Sequence, residues 1–316
     1  MYMKASVKKG EDDRWGNIIT DMRNWKAYNE ELVVRGAFYL DLKWAWSWKQ
    51  ELATMNGGKK GRPFCFPESL IKLQAVWHQW IDYRGIEGIT RMLVEHALLP
   101  QFNNYSTTNR RVNKLDLTIT LPTAGEVHVA CDGTGIKMCN AGAYRSDKYG
   151  TKRRPYIRVI LTADPLARKI LAVEVNIEGH GMSEPQAAVE HLSMLWTHGK
   201  KIKKFWGDPG LDDRNLINWL DAEHAAIAIK PRQLRTSDCA ESAARKVHVD
   251  NYMQVGYKQW AQENNYGMRW VGTEGIFSAV KRKFGEHVRS RKRSNMLKEA
   301  ERKFWAYDQI QQYAKH

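Results

Sequence analysis

The chain has 316 residues, and its 50 Lys and Arg against 35 Asp and Glu leave a formal charge of +15 with histidine neutral. At 43% hydrophobic and 11% aromatic it carries enough apolar side chain for a real core, which excludes a disordered chain. No apolar run approaches the ~18 residues of a membrane span, and the opening segment Met1 to Gly10 has lysines but no signal-peptide core.

The sequence therefore reads as soluble and intracellular, with a basic surface suited to nucleic acid, an anionic membrane surface or an acidic protein. The basic residues do not oppose an apolar face, which makes the membrane surface the poorest match. Four cysteines, Cys65, Cys131, Cys139 and Cys239, show no zinc or disulfide-framework spacing and read as reduced and structural.

The segment from Met1 to Gly61 gives little beyond an aromatic stretch at Phe38 to Trp48. The Gly/Lys-rich run Gly57 to Pro63 reads as a linker, giving an N-terminal arm over residues 1–62. Leu70, Leu73, Trp77 and Trp80 then recur at helical spacing, followed by Ile81, Ile86, Ile89 and Leu93 with a break expected at Gly85 and Gly88. A Ser/Thr/Asn-rich turn from Asn103 to Asn109 opens a short helix holding Arg110, Arg111 and Lys114. Basic side chains sitting together with helix-start donors resemble a helix-turn-helix reader, so residues 63–118 are expected to form a small helical DNA-binding domain.

From Glu126 the period becomes two. Val127, Val129 and Cys131 form one face of a strand expected to end at a Gly133 turn, so that Asp132 emerges at a strand end. Strands Tyr156 to Thr162 and Ile170 to Ile177 form a hairpin across the turn Asp164 to Arg168. Ser183, Pro185 and Gln186 read as a capped helix start whose buried face is Val189, Leu192, Leu195 and Trp196. A strand Ile202 to Trp206, a helix through Leu216, Ile217 and Leu220, and a strand Ala225 to Ile229 follow. This order predicts an α/β fold, a mixed sheet flanked by helices, over residues 119–316. Asp212 and Asp213 read as helix caps, and His180, His191 and His198 lack metal-ligand spacing.

The last helical region begins near Gly272, with Ile276, Phe277, Val280 and Phe284 as its core stripe. Glu274 and Lys281, seven residues apart, share one side of it. From Lys281 to Lys303 ten Lys and Arg stand against three Glu, a run suited to a phosphate track. Asp132, Asp208 and Glu274 are the chemically suggestive carboxylates. If the first and fourth strands are neighbours, the two aspartates lie side by side with Glu274 laid across them, and like charges so placed call for a divalent cation. Oxygen-only ligands select Mg²⁺ or Mn²⁺.

The segment Tyr266-Gly-Met-Arg-Trp-Val-Gly-Thr-Glu274-Gly-Ile-Phe-Ser-Ala-Val-Lys281 resembles the C-terminal motif of the DDE transposases of bacterial and archaeal insertion sequences, in the insertion-sequence-five group. Cys131-Asp132-Gly-Thr-Gly resembles the first catalytic aspartate motif of that family, and Trp206-Gly207-Asp208-Pro-Gly-Leu-Asp-Asp-Arg-Asn its second. Lys60-Gly-Arg-Pro-Phe and Tyr105-Ser-Thr-Thr-Asn-Arg-Arg-Val-Asn resemble its N-terminal helical region. The interval Arg269 to Glu274 is one residue longer than the family pattern.

The resemblance implies a ribonuclease-H-like catalytic domain without a large inserted β domain, since only 65 residues separate Asp208 from Glu274. It implies that Asp132, Asp208 and Glu274 hold two Mg²⁺ or Mn²⁺ ions that bracket a scissile phosphodiester for DNA cleavage and strand transfer. It further implies Lys281 as a phosphate clamp, Arg269 as a contact to the transposon end and Tyr266 as a surface for a flanking base. Arg110, Arg111 and Lys114 would meet the terminal inverted repeats, and the loop with Lys230, Arg232 and Arg235 backbone phosphates. The expected partners are double-stranded DNA, both inverted repeats and target, and a second copy of the chain; the expected location is the cytoplasmic nucleoid. The alternatives are a catalytically silent DNA-binding descendant, or a ribonuclease-H-like endonuclease that cuts without joining.

Overall fold

The computed structural model describes residues 24–139, 155–232 and 242–314. Five helices come first: α1 Trp25–Ala37, α2 Trp48–Asn56, α3 Glu68–Trp77, α4 Tyr83–Glu95 and α5 Tyr105–Val112. The first two have no clear apolar stripe, and they were not legible in the sequence. The Gly57 to Pro63 run does end α2, but it does not separate what it joins: Trp48 is buried in one cluster with Leu70 and Leu99.

Two local expectations change in this unit. Gly85 and Gly88 lie inside α4 and do not break it; Asp82 caps the helix by accepting from the Gly85 N–H at 2.7 Å. A Cβ on Gly85 would meet Ile81 Cγ2 at 2.6 Å, so the glycine makes room for a close contact. Trp80 lies beyond α3 and donates its indole N–H to the Lys283 carbonyl at 2.9 Å. Asn104, inside the predicted turn, caps α5 by accepting from the Thr107 N–H at 2.8 Å.

The sheet contains β1 Glu126–Lys137, β2 Tyr156–Asp164, β3 Lys169–Ile177, β4 Lys201–Gly207 and β5 Ala226–Ile229, in the order β3-β2-β1-β4-β5. Pairs β1/β2 and β2/β3 are antiparallel, whereas β1/β4 and β4/β5 are parallel. The hairpin turn is held by Asp164, whose Oδ1 accepts from the N–H groups of Leu166 and Ala167. Between β3 and β5 run α6 Glu184–Thr197, with the predicted Ser183/Gln186 capping box, and α7 Arg214–Ala222. The chain then forms α8 Ala243–Glu263, kinked at Gly256, α9 Met268–Gly272, α10 Glu274–Phe284 and α11 Arg293–Tyr313.

Helices cover both faces of the sheet. Val127, Val129, Cys131 and Ile160 face α6 and α7, while Ile157, Val159 and Leu161 face α10, α11 and the N-terminal helices. Burial on both sides explains the three consecutive apolar residues Val159, Ile160 and Leu161 in β2. Within α6, Leu192 and Leu195 are buried as expected, but Trp196 is 57% exposed; Ala187, Ala188 and His191 fill the buried face instead.

The helical segment 63–118 shares its core with the sheet, because Ile71, Val76, Val112 and Leu115 belong to the same cluster as Val280 and Phe304. Polar contacts reinforce this seam. Arg302 donates to Asn113 Oδ1 at 3.1 Å, and Arg289 donates to the carbonyls of His78 and Trp80. A second buried pair ties α11 to β3, where Lys169 Nζ stands 2.8 Å from Asp308 Oδ2. Removing one partner of such a pair leaves an uncompensated charge. Lys169→Met is therefore expected to lower stability by about 3–5 kcal/mol at neutral pH, read by chemical denaturation against wild type.

Candidate active site

Parallel pairing brings the ends of β1 and β4 together. The last rung is Cys131 with Gly207, which sets Asp132 and Asp208 at adjoining positions just beyond it. Asp132 does not stand at the end of its strand, as the Gly-Thr-Gly sequence suggested. β1 continues to Lys137, and Asp132 to Lys137 remain paired with β2. Asp208 closes a short turn by accepting from the Gly210 N–H at 2.8 Å. Helix α10 then begins at Glu274, with Lys281 two turns further on, and both side chains line a cavity of about 430 Å³ shared with Asp132, Asp208 and Arg269.

Asp132 is the electrostatic centre of this cavity. Its Oδ1 accepts from the Gly133 N–H at 2.8 Å, and its Oδ2 from Arg269 Nη1 at 3.1 Å and Thr273 Oγ1 at 3.4 Å. Burial raises its carboxyl to about 6, and Asp208 and Glu274 push in the same direction, against the Gly133 N–H and the Arg269 guanidinium. The neighbouring Cys131 thiol is driven up to about 12 by burial, and the carboxylates of Asp132, Glu184 and Asp208 add to it, so it stays protonated.

Glu184 is a fourth carboxylate that sequence reasoning missed. It is the first residue of α6, where an acid is routine, and only the fold carries it to Gly133. Burial and the charge of Asp208 raise its carboxyl as well.

A family model described as Transposase DDE domain matches residues 123–308, and a second with the same description matches residues 33–141. The chain belongs to the transposase DDE domain family. The longer match contains Asp132, Asp208, Glu274 and Lys281, and the other runs through the N-terminal helices into β1. No helix among the described residues of this transposase is long and apolar enough to cross a membrane.

The family is generally dependent on divalent metal. In the transposase, the donor set on the cavity is all oxygen, the kind that suits Mg²⁺ or Mn²⁺. Among the described residues no group of three His, Cys, Asp or Glu side chains is arranged to hold an ion. The carboxylates surround the cavity, and Arg269 supplies the charge that offsets Asp132.

Other site expectations fare differently. Tyr266 is only 7% exposed and donates its hydroxyl to the Gly207 carbonyl at 2.9 Å, so it supports the strand end before Asp208 and offers no ring to a base. Tyr266→Phe is expected to cost about 1–2 kcal/mol by stranding that carbonyl, visible as a lower thermal midpoint. Asp212 is not a cap; it is buried against Arg245 at 2.7 Å, while Asp213 alone caps α7.

The basic residues divide into structural and exposed sets. Arg111 is half-buried, lies over the Phe64 ring and is not a free contact. Arg110 and Lys114 are exposed. Lys230 covers the Tyr257 ring, and Arg232 is exposed with its backbone N–H donated to Asp212. Arg235 and Cys239 lie outside the described residues. The 281–303 run is not one phosphate track, because Arg302 and Lys303 are buried and Arg289 reaches carbonyls of the helical unit.

Proposed function

We propose that this transposase binds the terminal inverted repeats of a mobile DNA element, cleaves the strand at each end and joins the freed ends to target DNA. The observation that supports this best is one cavity carrying Asp132, Asp208 and Glu274 from three separate elements, with Lys281 and Arg269 beside them. A catalytic unit of ribonuclease-H-like topology over 119–316 fits this placement, as does a DNA-binding segment over 63–118 after an arm at 1–62.

The three carboxylates would hold two Mg²⁺ or Mn²⁺ ions, and bound there the ions supply charge stabilisation for in-line displacement at phosphorus. In the first reaction a water oxygen attacks phosphorus and the bond to the 3′ oxygen breaks, leaving a 3′-hydroxyl and a 5′-phosphate. In the second that 3′-hydroxyl gives up its proton and attacks a target phosphorus, and the target's own 3′ oxygen leaves and is protonated to a hydroxyl, so one phosphorus–oxygen bond forms as one breaks. Lys281 would neutralise the phosphate being cut, and Arg269, beside Asp132 on the same cavity, would set its guanidinium against the DNA backbone. No covalent bond to the protein is needed, and positioning with charge carries the catalysis.

Arg110 and Lys114, exposed on and just beyond α5, are the end-binding contacts this reading favours. Alanine at either is expected to weaken binding of terminal DNA and to reduce the slope of log affinity against log salt by about 1, measured by fluorescence anisotropy at several salt concentrations. Because two ends must meet, the active assembly on chromosomal DNA is a homodimer.

The decisive assay incubates the full chain with a supercoiled plasmid carrying its gene and flanking DNA, with Mg²⁺ or with EDTA. Mg²⁺-dependent nicks with 3′-hydroxyl ends, followed by joined products, are expected. Nicks without joining would mark an endonuclease, and binding without nicks a catalytically silent DNA-binding protein.

A further inference from the structure

One cavity accounts for three carboxylates, and Glu184 lines the adjoining one across Gly133 and Thr134, with Asp208 as its acidic neighbour and nothing assigned to it. Its Oε1 lies 2.3 Å from the point where a Cβ on Gly133 would stand, and its Oε2 lies 3.3 Å from the corresponding point on Gly210. Asp208 Oδ1 is 2.9 Å from that same Gly210 point, so the two carboxylates are near neighbours. Glu184 thus spans from the residue after Asp132 to the turn that carries Asp208.

Neither glycine is explained by its backbone. Gly133 is paired in mid-strand with Ile160, and neither glycine has the positive φ that favours the residue. At Gly133 the Glu184 carboxylate rests where a side chain would be, and at Gly210 it closes in behind the Asp208 carboxylate. Ser183 and Gln186 already complete the capping box at this helix start, so the Glu184 carboxylate makes no capping hydrogen bond.

Among the described residues Glu184 has no hydrogen bond or ion pair. Arg158 donates instead to the Met182 carbonyl, and Arg158 and Arg232 act on Glu184 only as nearby charges. Two half-buried carboxylates side by side without a protein cation between them carry a cost that a divalent cation removes.

We propose that Glu184 is a fourth acidic ligand of the divalent-cation site, acting on the Asp208 side. This rests on the reading of Asp132, Asp208 and Glu274 as cation ligands. The assignment predicts that cation is bound through four carboxylates, Glu184 reaching in from the adjoining cavity, and that Gly133 is small in order to admit it.

The test titrates Mn²⁺ alone into the full chain and reads free Mn²⁺ by electron paramagnetic resonance, for wild type, Asp132→Asn, Glu184→Gln and the exposed control Glu190→Gln. Unfolding midpoints in EDTA report the fold. Glu184→Gln and Asp132→Asn are each expected to weaken Mn²⁺ binding about tenfold or more, with Glu190→Gln unchanged and the Glu184→Gln midpoint not lowered. If Asp132→Asn loses Mn²⁺ while Glu184→Gln binds like wild type, Glu184 is no ligand and the three-carboxylate reading stands. If Asp132→Asn also binds like wild type, that reading falls and takes this assignment with it. Should Glu184→Gln not fold, Glu184→Asp, which keeps the charge but withdraws it by one methylene, takes its place: tenfold weaker Mn²⁺ binding supports the assignment, and wild-type binding overturns it.

Discussion

Asp132→Asn is expected to reduce Mg²⁺-dependent DNA cleavage by at least about 10³-fold, with Asp208→Asn and Glu274→Gln behaving alike. Each change preserves shape and most hydrogen bonding: the Gly133 N–H still meets an oxygen at position 132, and the Gly210 N–H one at position 208. Because the three side chains act as a unit, the double variants are expected to lose little more than the singles. DNA affinity should stay within a few-fold of wild type, since the exposed cations of α5 are untouched. A gel assay on end-containing DNA, with affinity measured in parallel, separates the two effects. Residual cleavage above one-tenth of wild type in Asp132→Asn would remove Asp132 from the chemistry.

The same substitution is expected to stabilise the protein when divalent ions are absent. Folding raises the Asp132 carboxyl to about 6, chiefly through burial, from roughly 3.9 in an unfolded chain. Between about pH 4 and 6 the folded state therefore keeps a proton that the unfolded state has released, and stability contributed at this residue falls as pH rises through that window. Above it the loss is complete, roughly 2–3 kcal/mol at ~1.4 kcal/mol per unit. Asparagine has no proton to lose. In EDTA, denaturant unfolding of wild type should thus lose about 2 kcal/mol more than Asp132→Asn between pH 4.5 and 8. Mn²⁺ should restore wild type and leave the variant unmoved. Parallel pH profiles for the two proteins would mean that Asp132 is not held in a cation-deficient site.

Such an opposition between activity and stability is the expected signature of like charges held together by a core that does not yield. The core doing so is well defined: Ala130, next to Asp132, contacts the position of Gly272, two residues before Glu274, so closely that a Cβ there would lie 2.6 Å away. That contact packs the short α9 against β1 and fixes where α10 starts. Arg269, on the same helix, is thereby aimed at Asp132.

Much of this arrangement was legible in the residues. Alternation marked β1, the turn at Asp164 to Arg168 marked β2 and β3 as a hairpin, and the Ser183 box marked α6. The seven-residue interval from Glu274 to Lys281 already put both on one side of a helix. Other features were hidden for physical reasons. Gly133 and Gly135 look like a turn because glycine usually serves backbone freedom, but here they clear space for Glu184 and for the Tyr156 ring. Tyr266 and Trp196 exchanged their expected environments because a lone aromatic does not reveal which neighbour buries it. The basic run after Lys281 misled in the same way, since charge counts cannot distinguish a side chain on solvent from one capping carbonyls in a seam. Glu184 was invisible because its importance lies in contacts with Gly133 and Gly210, distant in sequence.

The measurement that tests this account most directly is the anomalous scattering of Mn²⁺ in crystals of the full chain, collected at saturating Mn²⁺ and again for Asp132→Asn. The account predicts density in the cavity bounded by Asp132, Asp208 and Glu274, with Arg269 moved off the Asp132 carboxylate, and loss of that density in the variant. A wild-type cavity empty of Mn²⁺ at saturation, with Arg269 still paired to Asp132, would contradict it.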